Sequence, residues 1–405
     1  MGFTRGSGVW ARRGTLAAVL VVAALAPGRV AGMVASRCTQ PSCHRAAVAV
    51  RWSRPLPGNW TADGGALGTV LRRGEAYTAA GGGVAAVGFG VTVAAFGLGT
   101  GQPLWTAVLA GYPAGAQIVS MRAWPGVITA GVSVPDSGGT VTHRDEVVLS
   151  DATGVRLRSY PAAVYGGAVQ ASKSRTVIVG STAVTAYANR TGKVIWRRGT
   201  GKVPQNWRVS GGTLYVAESA GGYLGAAPVT AVRRISLRTG AQRVLRPPGH
   251  AFAGTLAGAA SGAMLFTGQA GLAAYSDTDG RLLWHRAGAL LEAVDSAQQT
   301  LYVTSGSALT GIDPATGKVV TQAATGGAVG LYAVAGGVAL GLDEGALGDA
   351  WGYDLATKRV TWTTRAVPWP HFFVDLSGIG GSVDSADGMI VLASCAQLGT
   401  AASGA

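Results

Sequence analysis

Few residues of this chain are equipped for chemistry, and most stand apart from the partners a reaction would need. His143-Arg144-Asp145-Glu146 is the one tight grouping of a histidine with carboxylates. An imidazole beside acids is a start on a metal site, but a closed site needs further donors, and the sequence gives none nearby. The run sits at the end of a polar insertion from Val132 to Asp145, where a solvated loop is the simpler reading. Asp343-Glu344, with Asp349, is an acidic patch without the alternating carboxylates of a calcium loop. Trp369-Pro370-His371-Phe372-Phe373 sets aromatics beside a histidine, a pattern that packing explains. Gly81-Gly82-Gly83 lacks the Lys-Ser/Thr of a phosphate loop. The spacing Cys38-x4-Cys43-His44 is wider than the haem-attachment motif. Asn59 and Asn189 head Asn-x-Thr sequons. No nucleophile stands at a meaningful spacing from a base. The expectation is no catalytic residue, no cofactor-binding residue and no metal ligand.

The elements that would position any site are short strands. Of 405 residues, 48% are hydrophobic, 13% are charged and 64 are glycine, which excludes disorder and long amphipathic helices. The net charge of +14 is unevenly placed. Arg5, Arg12, Arg13, Arg29, Arg37, Arg45, Arg51 and Arg54 all precede the first acid, Asp63, and the remainder carries 25 basic against 19 acidic residues. So mild a surplus is not a phosphate-binding stripe, and no nucleic-acid partner is expected.

Residues 1–45 read as an export signal or membrane anchor with a linker. Arg12-Arg13 precede an uncharged run centred on LAAVLVVAALA, followed by small residues Ala31, Gly32, Ala35 and Ser36. An apolar run of about twelve residues is short of the ~20 that span a bilayer and fits a signal-peptide core. The body, residues 46–405, is therefore expected outside the cytoplasm. Cys38, Cys43 and Cys395 suit an oxidising compartment, where one of the first two can bridge to the third if the chain ends meet.

One pattern recurs from Ala46 on. An apolar residue is followed by turn formers, then Thr-Gly, then a strand often carrying Trp four positions after the Gly. The glycines and their strands are Gly101 with Trp105, Gly154, Gly192 with Trp196, Gly240, Gly280 with Trp284, and Gly317; Trp362 follows Thr357-Lys358. Successive copies lie 53, 38, 48, 40, 37 and 41 residues apart. A period near forty with four strand-like segments per copy predicts an all-β propeller of four-stranded blades. Each Gly supplies positive φ to a hairpin turn, and each Trp is expected between neighbouring blades with its indole N–H on a backbone carbonyl. Val50 to Arg54, carrying Trp52, resembles an outer strand without its blade, and Phe372–Gly378 and Gly388–Cys395 resemble inner strands without theirs. Joining them predicts eight positions, the last blade incomplete and closed by the N-terminal strand, its remaining strand drawn from Ala396–Ala405; seven blades is the alternative.

The turn Tyr187-Ala188-Asn189-Arg190-Thr191-Gly192-Lys193-Val194-Ile195-Trp196 resembles the pyrroloquinoline-quinone-like repeat. That resemblance covers roughly Ala46 to Cys395 and implies either a quinoprotein dehydrogenase or a non-enzymatic, BamB-like propeller. The dehydrogenases hold their quinone against a disulfide between adjacent cysteines and use calcium on carboxylates. This chain has no Cys-Cys pair, and Asp277, Asp313 and Asp354 fall in turns where backbone capping accounts for them. Neither PQQ nor calcium is expected. The expected function is an exported, non-catalytic, monomeric module that binds a protein or a surface polymer at the cell envelope, with membrane association through the N-terminus. The alternatives are a PQQ-dependent dehydrogenase and a ligand-sensing ectodomain.

Overall fold

Runs rich in Val, Thr and Tyr, cut every few residues by glycine-bearing turns, are too short to sustain helices and suit pleated strands. The computed structural model describes residues 18–24, 50–55, 77–136, 140–162, 166–202, 204–219, 228–249, 251–295, 300–305, 308–324, 329–335, 338–343, 350–354, 359–363, 381–386 and 389–395. Among these, 32 strands form eight four-stranded antiparallel sheets, and there is no helix.

Seven sheets are each one continuous run of chain. In order, they extend from Tyr77–Gly81 to Pro103–Val108, Gln117–Trp124 to Arg156–Ala162, Gly167–Ala171 to Val194–Gly199, Pro204–Ser210 to Gln242–Leu245, Thr255–Ala260 to Leu282–Ala287, Leu290–Asp295 to Val319–Ala324, and Val329–Ala335 to Arg359–Thr363. The first strands of successive sheets meet: Tyr77–Gly81 touches Gln117–Trp124, Pro204–Ser210 touches Thr255–Ala260, and Leu290–Asp295 touches Val329–Ala335. Strands converging in this way on a shared axis make a β-propeller. Its core lies in the seams between sheets. Ala79, Val93, Ile118, Ile128 and Val147 fill the first seam, and Phe252, Phe266 and Tyr275 stack in another.

The eighth sheet joins both ends of the chain, in the order Val50–Pro55, Ala18–Ala24, Met389–Cys395, Gly381–Ala386. Val22 is registered with Trp52 on one side and Val391 on the other. Tyr77–Gly81 also contacts Gly381–Ala386, so the ring closes. Head and tail share a sheet, as the sequence predicts, but the strand between them differs. It is Ala18–Ala24, from the apolar run read as the core of a leader, whereas Ala396–Ala405 lies outside the described residues. A short apolar run bearing valines is the composition of a central strand as much as of a signal core. The strand expected at Phe372–Gly378 also falls outside the described residues; the partner of Met389–Cys395 is Gly381–Ala386.

The insertion at Val132–Asp145 is not a protruding loop. Val127–Pro135 and Val141–Ser150 stay paired as far as Pro135 opposite Val141, which lengthens the hairpin and places His143 to Glu146 within a strand. Four consecutive polar residues, His143 to Glu146, leave no alternation to mark the strand, which is held instead by its pairing with Val127–Pro135.

Candidate binding surface

The repeated turn builds the seams. Gly101, Gly154, Gly192, Gly240, Gly280 and Gly317 all hold φ between 66° and 79°. In the third sheet, the Gly192 N–H donates to Ala188 O at 2.7 Å and the Ala188 N–H to Lys193 O at 2.8 Å, closing the turn. Trp105, Trp196 and Trp284 each lie over the motif Gly of the next sheet. A Cβ on Gly154 would stand 2.5 Å from Trp105, one on Gly240 2.6 Å from Trp196, and one on Gly317 2.7 Å from Trp284. Trp105 Nε1 donates to Asp151 O at 2.7 Å and Trp284 Nε1 to Pro314 O at 2.9 Å. Trp196 Nε1 is buried with no partner among the described residues. Two positions beyond the Trp, Arg198 Nε donates to Gly240 O at 2.6 Å and Arg286 Nη2 to Gly317 O at 3.3 Å.

The seam between the second and third sheets departs from this pattern. Arg158 occupies the Trp position, and its Nε and Nη2 donate to Asn189 O at 3.2 Å and Arg190 O at 3.1 Å. Beyond it, Tyr160 stacks on Tyr187 with centroids 4.3 Å apart and donates its hydroxyl to Asn189 Oδ1 at 3.0 Å. Burial first of all raises the Tyr160 pKa above its ordinary value. A cavity of about 280 Å³ opens beside the stacked tyrosines, lined by Pro161, Ile178, Thr182, Thr185, Tyr187 and Arg197.

The surroundings of this cavity are cationic and apolar. Arg158, Arg190, Lys193 and Arg197 are exposed, and none forms an ion pair among the described residues. Leu157, Val194 and Ile195, on the same two outer strands, are 37%, 53% and 51% exposed, and Val155, just before the first of those strands, is 60% exposed. The sequence carries a signal for this surface that motif reading passes over. Residues 152–217 hold ten Lys and Arg and no Asp or Glu, an asymmetry lost when charge is averaged over the whole body.

Carboxylates elsewhere are engaged. Glu146 is buried with Arg144, at 3.8 Å; burial raises its pKa, while Arg144, the Thr129 hydroxyl and the backbone at Ala168 pull it down. Glu218 pairs with Arg233 and accepts from the Gly201 N–H at 2.9 Å. Tyr112 donates to Asp145 at 3.0 Å, and burial with that acid pushes the phenol up to about 12. Asp313 caps its own turn as expected of it, accepting from the Ala315 and Thr316 N–H groups at 2.9 and 2.8 Å. Asp277 does something else. Its carboxylate reaches across a seam to the Tyr215 hydroxyl at 2.8 Å and Arg234 at 3.5 Å, because it is buried there and draws its donors from the sheet before.

Other residues singled out by sequence take these places. Trp52 and Trp362 lie on strands Val50–Pro55 and Arg359–Thr363, and Cys395 ends Met389–Cys395 opposite Ala18. Cys38, Cys43, Asn59, Glu344, Asp349 and the aromatic run at 369–373 lie outside the described residues. Asn189 is 4% exposed, with its amide donating to Ser172 O at 2.7 Å and its carbonyl taken by Thr176 and Tyr160, so the sequon is a structural asparagine.

The sequence profile described as outer membrane protein assembly factor BamB matches residues 92–364. No curated protein matches it in sequence. Among solved structures, BamB from Moraxella catarrhalis is similar at 15% identity, covering 80% of this chain and 84% of that one, with a TM-score of 0.42. Dihydro-heme d1 dehydrogenase NirN, in complex with DHE, aligns at 13% identity over 70% of this chain and 64% of its own length, with a TM-score of 0.50. The C-terminal WD40 domain of Sif2 aligns at 10% identity over 78% of this chain and 95% of its own, with a TM-score of 0.49. At such identities the likeness is one of fold.

Proposed function

This chain belongs to the family described as outer membrane protein assembly factor BamB, and from that premise we propose that it is a non-catalytic binding and scaffolding module whose partner is a protein of the cell envelope. The observation that carries the reading is the seam between the second and third sheets. There a cavity of about 280 Å³ opens among exposed cations and exposed apolar side chains, an arrangement that offers contact area and orientation but no reacting group. An extracytoplasmic place and a monomeric state belong to the same proposal and rest on the sequence. PQQ and calcium have no part in it.

Affinity capture from envelope extracts, followed by reciprocal capture with the recovered partner, tests the reading. A stoichiometric protein partner is expected. Dye-linked oxidation of alcohols or sugars after incubation with PQQ and calcium would replace it with a dehydrogenase, and absence of any reciprocal partner for the folded chain would remove it.

A further inference from the structure

We infer that the seam between the second and third sheets is the docking site, and that it takes an extended acidic segment of the partner with one aromatic side chain seated in the cavity. This inference rests on the binding reading above and names the chemistry of the partner.

Charge makes the first case. Across residues 152–217 every charged side chain is basic, and on the two outer strands and turn that border the seam Arg158, Arg190, Lys193 and Arg197 have no carboxylate within ion-pairing distance among the described residues. Nearby acids are already committed: Asp145 to Tyr112, Glu146 to Arg144, and Asp151 to the Gly126 N–H at 2.7 Å. Exposed like charges with no internal counter-ions repel one another and attract an anionic partner.

Shape and polarity choose among anions. The cavity, about 280 Å³, lies just under the roughly 300–1,000 Å³ of small-molecule pockets, which suits one large side chain rather than a cofactor. Ile178 and the Tyr187 ring form apolar wall, Thr182 and Thr185 add hydroxyls, and Arg197 stands at the mouth. That combination fits an aromatic ring followed by a carboxylate. Val194 and Ile195 sit on an edge strand with a free hydrogen-bonding side, where an extended peptide lies down naturally and a sugar or phosphate polymer gains nothing from the apolar contacts. In this seam Arg158 stands where Trp105, Trp196 and Trp284 stand in theirs.

The test uses the full chain and a labelled short peptide of aspartate and glycine with one central tryptophan, read by fluorescence anisotropy. Controls are the same peptide with alanine for tryptophan, a lysine counterpart, and vesicles containing phosphatidylglycerol. Saturable binding to the acidic tryptophan peptide is expected. It should weaken about tenfold or more with the alanine peptide, with the Lys193→Glu/Arg197→Glu variant, and with Thr182→Trp, which fills the mouth from an exposed position. Unchanged thermal melting of both variants establishes that they fold. Equal binding of the lysine peptide, indifference to both variants, or binding of the vesicles alone would overturn the inference. If the charge-reversed variant still captures the envelope partner, this site falls while the binding reading stands; if the unaltered chain captures none, the binding reading falls.

Discussion

Gly240 lies against the indole of Trp196: a Cβ on the glycine would stand 2.6 Å from Trp196 Cδ2, and its φ is +71°. The same relationship joins Gly154 to Trp105 and Gly317 to Trp284. One glycine therefore serves two ends, making the hairpin turn of its own sheet and leaving room for the tryptophan of the sheet before.

Two separate costs follow for Gly240→Ala. The left-handed backbone penalises any Cβ by about 1 kcal/mol, and forcing the indole aside adds ~1–3 kcal/mol of overpacking. Gly211→Ala, at φ +54° with nothing within 4 Å, isolates the backbone part. Urea denaturation should show Gly240→Ala losing clearly more stability than Gly211→Ala; equal losses would mean that the Trp–Gly contact is unimportant.

The tryptophans are not equivalent as hydrogen-bond donors. Trp284→Phe removes a bond to Pro314 O at 2.9 Å and strands that carbonyl, while Trp196→Phe deletes an indole N–H with no partner among the described residues. Both lose packing, but Trp284→Phe is expected to cost about 1 kcal/mol more, read from the same denaturation curves. A greater loss for Trp196→Phe would contradict this.

Glu146 sets a pH dependence whose sign is fixed by burial. Its pKa is raised from an ordinary 4.5, so the folded chain binds that proton more tightly than the unfolded chain. The stabilising contribution is full below 4.5 and declines as pH rises through the window up to the raised folded value. In Glu146→Gln the decline should vanish. The melting temperature of the native chain minus that of the variant should therefore fall from acid toward neutral pH, and a flat difference would show that Glu146 does not titrate on unfolding.

The strand Ala18–Ala24 bears on both architecture and export. It pairs with Val50–Pro55 and Met389–Cys395, so a chain beginning at Ala46 leaves both strands with open edges. That truncation is expected to melt lower and to self-associate on size exclusion. Mass spectrometry of the mature envelope protein should find Ala18–Ala24 retained; a mature chain starting after Ala35 with an undiminished melting temperature would show that this segment serves export alone.

Spacing and turn chemistry made the propeller legible, because a Thr-Gly turn marks five of the seven copies, Asp279-Gly280 and Thr357-Lys358 stand in for it in the others, and a Trp four residues on adds a second mark in four. Other features left none. Which segment completes the head-to-tail sheet depends on pairing between residues hundreds apart, and an apolar run such as AVLVVAA serves a strand or a leader equally well. The His143 to Glu146 run read as a loop because four consecutive polar residues hide a strand that only its pairing with Val127–Pro135 reveals. The seam at Arg158 was hidden differently. Its copy lacks a Trp, but so do those at Gly240 and Gly317, so nothing in the sequence singled it out; what sets it apart is how Arg158 and Tyr160 meet the next sheet. Asp277 resembled a turn cap in every local respect and was claimed instead by Tyr215 from across a seam.

A photo-crosslinking side chain placed at Thr182, at the mouth of the cavity, and another at Val320, exposed on the outer strand of the sixth sheet, read the binding surface in the intact envelope. Thr182 should give one discrete protein adduct of acidic character and Val320 none. Adducts at Val320 alone, or equally at both positions, would contradict docking at this seam.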